Sequence, residues 1–290
     1  MVSRGIMKWA GVVLLIAALA FFFLSRPRST FRQDIVYGKG GSSELRLDLA
    51  TPAQGAGPFP ALVCIHGGSW RSGDKSWYRS QIVTFAEQGY VAVSINYRLA
   101  PEYKFPAQIE DAKCAVRFLR AHAAELKINP AKISAIGDSA GGHLALLLAF
   151  MDPADGLEGN GGYSDQSSKV QAVVNHYGPA DLTVNEKWAQ GQKVQANYFL
   201  DTNDPAAPVV ARASPVTYID SADPPVLTFH GTADPIVPVE QARRLHDVLK
   251  KAGVSERLEL IEGAGHGWNE EQRARIDKIV LEFMDQKLKH

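Results

Sequence analysis

Two hydrophobic periods alternate along this chain. Short, mostly continuous apolar runs occur at Ala61–Ile65, Val91–Ile95, Ile133–Ile136, Val170–Asn175, Val226–His230 and Leu258–Ile261. That is the pattern of strands buried on both faces of a sheet. Ile35–Tyr37 and Leu45–Leu49 precede them as two further strands around a Gly-rich turn at 38–43. Leu45-Arg46-Leu47-Asp48-Leu49 alternates strictly, which predicts one wet face. Between the runs the spacing changes to three and four. Ile109, Ala112, Val116, Leu119 and Ala123 mark one face of a helix with Pro106 in its first turn. Trp77–Gln88 and Leu144–Phe150 also read as helical. Ala242, Leu245, Val248, Leu249 and Ala252 line a helix over 239–252, and Ile276, Val280, Phe283 and Met284 a closing helix over 272–288. Strands alternating with helices predict an α/β fold, a mostly parallel sheet covered on both faces.

Composition narrows the classes. The 290 residues carry no net charge and no basic tract, which argues against a nucleic-acid partner. Cys64 and Cys114 fall in apolar runs and read as buried core residues; no clustered ligands suggest a metal. The N-terminus differs from the rest. Arg4 and Lys8 precede an unbroken apolar stretch, residues 9–24, which as a helix spans about 24 Å against a bilayer core of about 30 Å. We read it as an export signal, leaving both a cleaved leader and a retained membrane tether open, and the protein as secreted, periplasmic or membrane-anchored. Residues 1–30 are then leader and linker, and 31–290 one catalytic domain.

The chemistry centres on Gly137-Asp138-Ser139-Ala140-Gly141, between an apolar strand and an apolar helix. A serine flanked by glycines at −2 and +2 in that context is a nucleophile elbow. A serine hydroxyl needs a base, and the base an orienting carboxylate. His266, in Gly263-Ala264-Gly265-His266-Gly267-Trp268 after the last strand, is the candidate base; His176 and His230 are nearer rivals than His143 or His246. Asp234, just after the Val226–His230 strand, is the candidate carboxylate. The chain order Ser, Asp, His matches the α/β-hydrolases. The backbone N–H groups of Ala140, Gly68 and Ser69 are candidate oxyanion donors, the latter two from His66-Gly67-Gly68-Ser69. His66 and Asp138 read as structural, and Arg98 as an ion-paired loop brace near Glu102. Trp70, Tyr177 and Trp268 are either pocket-lining or simply packed. Segments 152–168 and 179–222, rich in Gly, Asp, Asn, Ser and Pro, read as excursions over the active-site face.

The pairing of His66-Gly67-Gly68-Ser69-Trp70 with the serine motif resembles the hormone-sensitive-lipase-like esterases. Tyr97-Arg98-Leu99-Ala100-Pro101-Glu102 and Phe105-Pro106-Ala107 add to the likeness. Leu157-Glu158-Gly159-Asn160-Gly161-Gly162-Tyr163, Tyr177-Gly178-Pro179-Ala180-Asp181-Leu182 and Ser214-Pro215-Val216 are most similar to the bacterial bifunctional feruloyl and acetyl-xylan esterase branch. Ser69 departs from the usual third glycine; it keeps a backbone donor and narrows the pocket. The resemblance implies an α/β-hydrolase fold with a sheet of about eight strands and a small lid. It also implies a cofactor-free serine esterase acting on a small ester or an esterified carbohydrate. An arylformamidase or prolyl-oligopeptidase-like amide hydrolase uses the same trio and stays open, as does a non-catalytic binding protein on the same fold.

Overall fold

The eight predicted strands form a single sheet in the computed structural model, which describes residues 28–184 and 197–289. They are β1 (Ser29–Gly40), β2 (Ser43–Pro52), β3 (Phe59–Ile65), β4 (Val91–Ile95), β5 (Ile128–Asp138), β6 (Val173–His176), β7 (Val226–Gly231) and β8 (Glu256–Ile261). Their order is β1-β2-β4-β3-β5-β6-β7-β8. β2 is antiparallel to β1 and β4, and β3 to β8 are mutually parallel. All six parallel strands therefore end on one edge of the sheet.

Alternate residues of each strand face opposite layers. Ala61, Val63 and Ile65 of β3 pack under α2 (Ala107–Ala121), α3 (Ala140–Phe150) and α4 (Glu240–Ala252). Leu62 and Cys64 pack under α1 (Arg79–Glu87) and α5 (Glu270–Leu288). Every residue of α3 is buried, which is why the segment is apolar all round. Both cysteines are buried, as expected from their apolar runs, and they are not bonded to each other. Among the described residues, no helix is long and apolar enough to cross a membrane; the 9–24 stretch lies outside the described residues.

Three expectations need correction. Asp48 does not face water. It is completely buried and paired with Lys75 at 3.2 Å and Arg79 at 3.1 Å. The turn and helix after β3 cover that face of β2, so an alternating strand carries a buried ion pair instead of a wet side. The segment 152–168 does not cover the serine edge. α3 carries the chain from Ser139 to the opposite edge, where Arg120 binds the carbonyls of Pro130, Ser167 and Lys169. There Glu158 accepts from Lys113 at 2.6 Å and Arg117 at 2.9 Å. Finally, β1 begins at Ser29, inside the stretch expected to be a linker. The second excursion does return to the serine edge through Phe199 and Ala213.

Candidate active site

The strand ends of β5, β7 and β8 bring Ser139, Asp234 and His266 to one place. Ser139 sits between β5 and α3 with φ 53° and ψ −119°, a backbone conformation that costs on the order of 1–3 kcal/mol in a residue with a Cβ. Packing enforces it. A Cβ at Gly137 would lie 2.1 Å from the Gly141 carbonyl oxygen, and one at Gly141 only 2.0 Å from that of Ile65. The two glycines thus let strand end, helix start and β3 touch, and the serine is left at the apex. Its N–H donates to the His176 carbonyl at 2.8 Å.

His266 Nε2 lies 2.9 Å from Ser139 Oγ, and His266 Nδ1 lies 2.7 Å from Asp234 Oδ2. A carboxylate only accepts, so Nδ1 carries the ring proton and Nε2 is free to receive the serine hydroxyl proton. Asp234 is itself tied down: Oδ1 accepts from the Ile236 N–H at 2.8 Å and the Val237 N–H at 2.9 Å. Burial alone would raise its pKa. Hydrogen bonds from His230, His266 and Ile236 outweigh burial and hold the carboxyl well below the usual carboxylate range. The Tyr177 ring lies against His266 with centroids 4.6 Å apart.

The rival histidines have other partners. His230 Nε2 donates to the Val237 carbonyl at 2.9 Å and lies 3.5 Å from Asp234. His143 is buried beneath the serine turn. Its Nδ1 accepts from Trp70 Nε1 at 3.2 Å, and its Nε2 donates to the Ala213 carbonyl at 2.7 Å. His176 accepts through Nδ1 from Trp268 Nε1 at 3.3 Å. Burial pushes His143 down to about 4 and His176 down to about 3, so both stay neutral at ordinary pH.

The loop after β3 passes Ser139. A Cβ at Gly67 would lie 3.2 Å from Ser139 Cβ, and the Gly67 N–H donates to Asp138 at 3.2 Å. The N–H groups of Gly68, Ser69 and Ala140 donate to no acceptor among the described residues. The loop is braced by His66, which stacks on Tyr97 with centroids 4.4 Å apart, and by Tyr97 Oη donating to the His66 carbonyl. Arg98 is also a brace, but its partners are Asp111 and Glu110 on α2 and not Glu102. Trp70 is packed on Phe199 (centroids 4.3 Å), whereas Tyr177 and Trp268 line a cavity. Sequence reasoning did not single out Trp77, Tyr78 or Arg273, which share that cavity; only their distant neighbours in the fold reveal them. Among the described residues, no group of three His, Cys, Asp or Glu side chains is placed to hold a metal.

This fold, with Ser139, His266 and Asp234 meeting at the ends of its parallel strands, places the chain in the α/β-hydrolase class. The BD-FAE family model matches residues 47–249, and the chain belongs to the BD-FAE family. It is 33% identical over 232 residues to esterase LipQ of Mycobacterium tuberculosis, covering 77% of this chain and 53% of that protein. It is 26% identical to the isoprenylcysteine alpha-carbonyl methylesterase ICME of Arabidopsis thaliana, covering 86% of this chain and 58% of that one. The chain thus spans little more than half the length of these curated relatives. Among solved structures, a truncated carbohydrate esterase from gut microbiota superposes with TM-score 0.80 at 26% identity, covering 92% of this chain and 99% of that one. Esterase Est2 of Thermogutta terrifontis, in a propionate-bound form, superposes with TM-score 0.76 at 31% identity, covering 90% and 94%.

Proposed function

We propose that the protein hydrolyses carboxylic esters through an acyl-enzyme on Ser139. The observation that carries this reading is the continuous relay Ser139–His266–Asp234, with links of 2.9 and 2.7 Å. Ser139 Oγ attacks the ester carbonyl while His266 Nε2 takes its proton. Asp234 stabilises the resulting imidazolium. The N–H groups of Gly68, Ser69 and Ala140 receive the charge that develops on the carbonyl oxygen. His266 returns the proton to the leaving alcohol, and water, activated by the same ring, releases the acid. The finer reading is acetyl or feruloyl esters of plant-type polysaccharides, or similar small esters. The family and the likeness to a carbohydrate esterase support it. We also propose that residues 9–24, preceded by Arg4 and Lys8, direct export of the domain.

Ser139→Ala is expected to lower turnover of p-nitrophenyl acetate by about a million-fold, with unchanged melting. Activity near that of the native chain would falsify the assignment. A panel of acetyl-xylan, methyl ferulate, formylkynurenine and proline anilides tests the substrate class. Hydrolysis of either amide at a higher kcat/KM than the esters overturns the ester reading.

A further inference from the structure

Asp234 has two histidine neighbours, and only one of them belongs to the relay. The other, His230, is next to last in β7. Its side chain is completely buried, and its Nδ1 has no partner among the described residues. Its Nε2 lies 2.9 Å from the Val237 carbonyl oxygen and 3.5 Å from Asp234 Oδ2. A carbonyl and a carboxylate only accept, so Nε2 carries the proton and Nδ1 is a bare acceptor sealed from water. That is an unfavourable way to fill a core position, since an apolar side chain there would leave no such acceptor. The unmet Nδ1 points to a task for Nε2.

The task can be read from the turn that follows. Residues 234–238 run Asp-Pro-Ile-Val-Pro, and a proline has no N–H. Between 235 and 238 the backbone offers two donors, Ile236 and Val237, and Asp234 Oδ1 takes both, at 2.8 and 2.9 Å. Oδ1 is thereby held toward the turn, and Oδ2 is left for His266 Nδ1 at 2.7 Å. Val237 joins the two sides of this arrangement: its N–H grips the carboxylate, and its carbonyl is gripped by His230. The buried ring thus ties the turn back to β7, and the turn fixes the rotation of the carboxylate. The longer contact from Nε2 to Oδ2 acts in the same sense, because a donor beside that oxygen favours its ionised form.

We propose that His230 is a positioning residue for the relay: through Val237 it sets the rotation of the Asp234 carboxylate, and so the tautomer and aim of His266. A His266 ring with its proton on Nδ1 presents a bare Nε2 to Ser139 Oγ, and a ring free to turn does not. The catalytic purpose rests on the ester-hydrolase reading above; the chain of contacts does not.

The test compares two variants of the full chain. His230→Gln places an amide N–H where Nε2 stands, and His230→Leu deletes the donor. Rates are divided by the folded fraction from near-ultraviolet circular dichroism. With p-nitrophenyl acetate, His230→Leu should lower kcat by about a hundredfold with KM held within about threefold, and His230→Gln should stay within about tenfold of the native kcat. The His266 Nδ1 proton, held against a carboxylate, gives a far-downfield NMR resonance, which should vanish in His230→Leu and persist in His230→Gln. The proposal is overturned by equal kcat in the two variants, by a loss carried in KM, or by a downfield resonance that survives in His230→Leu. Should His230→Leu not fold, His230→Asn takes its place; its shorter amide cannot reach Val237, and the same losses are expected. The native chain adds a check without any substitution: nitrogen-15 histidine spectra should show His230 protonated at Nε2, and a proton on Nδ1 overturns the proposal. A native chain that leaves p-nitrophenyl acetate intact removes the ester reading, while the spectra, which need no turnover, still decide whether His230 positions Asp234 and His266.

Discussion

Two tryptophan–histidine pairs flank Ser139, and they are built alike up to their last hydrogen bond. On the loop side, Trp70 follows the candidate oxyanion donor Ser69 and donates to His143 at 3.2 Å. On the base side, Trp268 follows His266 by two residues and donates to His176 at 3.3 Å. Each indole therefore ties a functional loop to a histidine on the scaffold. The pairs differ at the remaining ring nitrogen. His143 closes its circuit on the Ala213 carbonyl at 2.7 Å and is fully buried. His176 has no second acceptor among the described residues and borders a cavity. The same motif thus serves rigidity on one side and leaves a donor available on the other.

The largest contrast between the sides is in chemistry. Asp234→Asn leaves a neutral group that favours the wrong tautomer of His266, and kcat for p-nitrophenyl acetate should fall by about ten-thousand-fold. His143→Gln, on the loop side, touches neither relay atom and should lower kcat by less than about tenfold at a temperature where the variant is folded. Steady-state rates on both proteins decide this. A drop for His143→Gln as large as that for Asp234→Asn would mean that the loop side also takes part in proton transfer.

Stability, unlike turnover, should depend on pH through the histidines of both sides. His143 is neutral when folded, with its pKa pushed down to about 4 by burial, while an unfolded histidine titrates near 6.5. Between those values the unfolded chain holds more protons, so stability is fully present above about pH 6.5 and is lost as pH falls toward 4. The separation corresponds to about 3 kcal/mol. His176, pushed down to about 3, acts in the same direction. Urea unfolding from pH 7 to pH 4 should show this decline, and His143→Gln should flatten it. An unchanged slope in that variant would refute a buried, neutral His143.

What could be read from the sequence follows from how local each signal is. Strand β4 was delimited from its apolar run alone, and α4 to within a residue, because periodicity reports burial directly. Ser139, Asp234 and His266 were legible because parallel strands must all end on one edge, so the residues just after them converge. Asp48 was not legible, since its burial depends on Lys75 and Arg79 folding back from another element. Nor was the placement of 152–168, because a segment without periodicity carries no sign of which edge it covers. The cavity was the least visible. Trp77 and Arg273 are 196 positions apart, and nothing between them marks the encounter.

The smallest expected effect isolates the last hydrogen bond itself. Replacing either tryptophan by phenylalanine keeps most of the ring and deletes the indole donor. In Trp70→Phe, His143 Nδ1 is left in a fully buried place with no donor, which should cost about 1–3 kcal/mol. In Trp268→Phe, the ring of His176 borders a cavity, where a water molecule can donate in place of the indole, and the loss should be about 1 kcal/mol or less. The difference between the two urea midpoints, read at pH 7 where both histidines are neutral, measures how far one pair is sealed and the other open. Equal losses would show that the two pairs are equally closed and would remove the distinction drawn between the two flanks of Ser139.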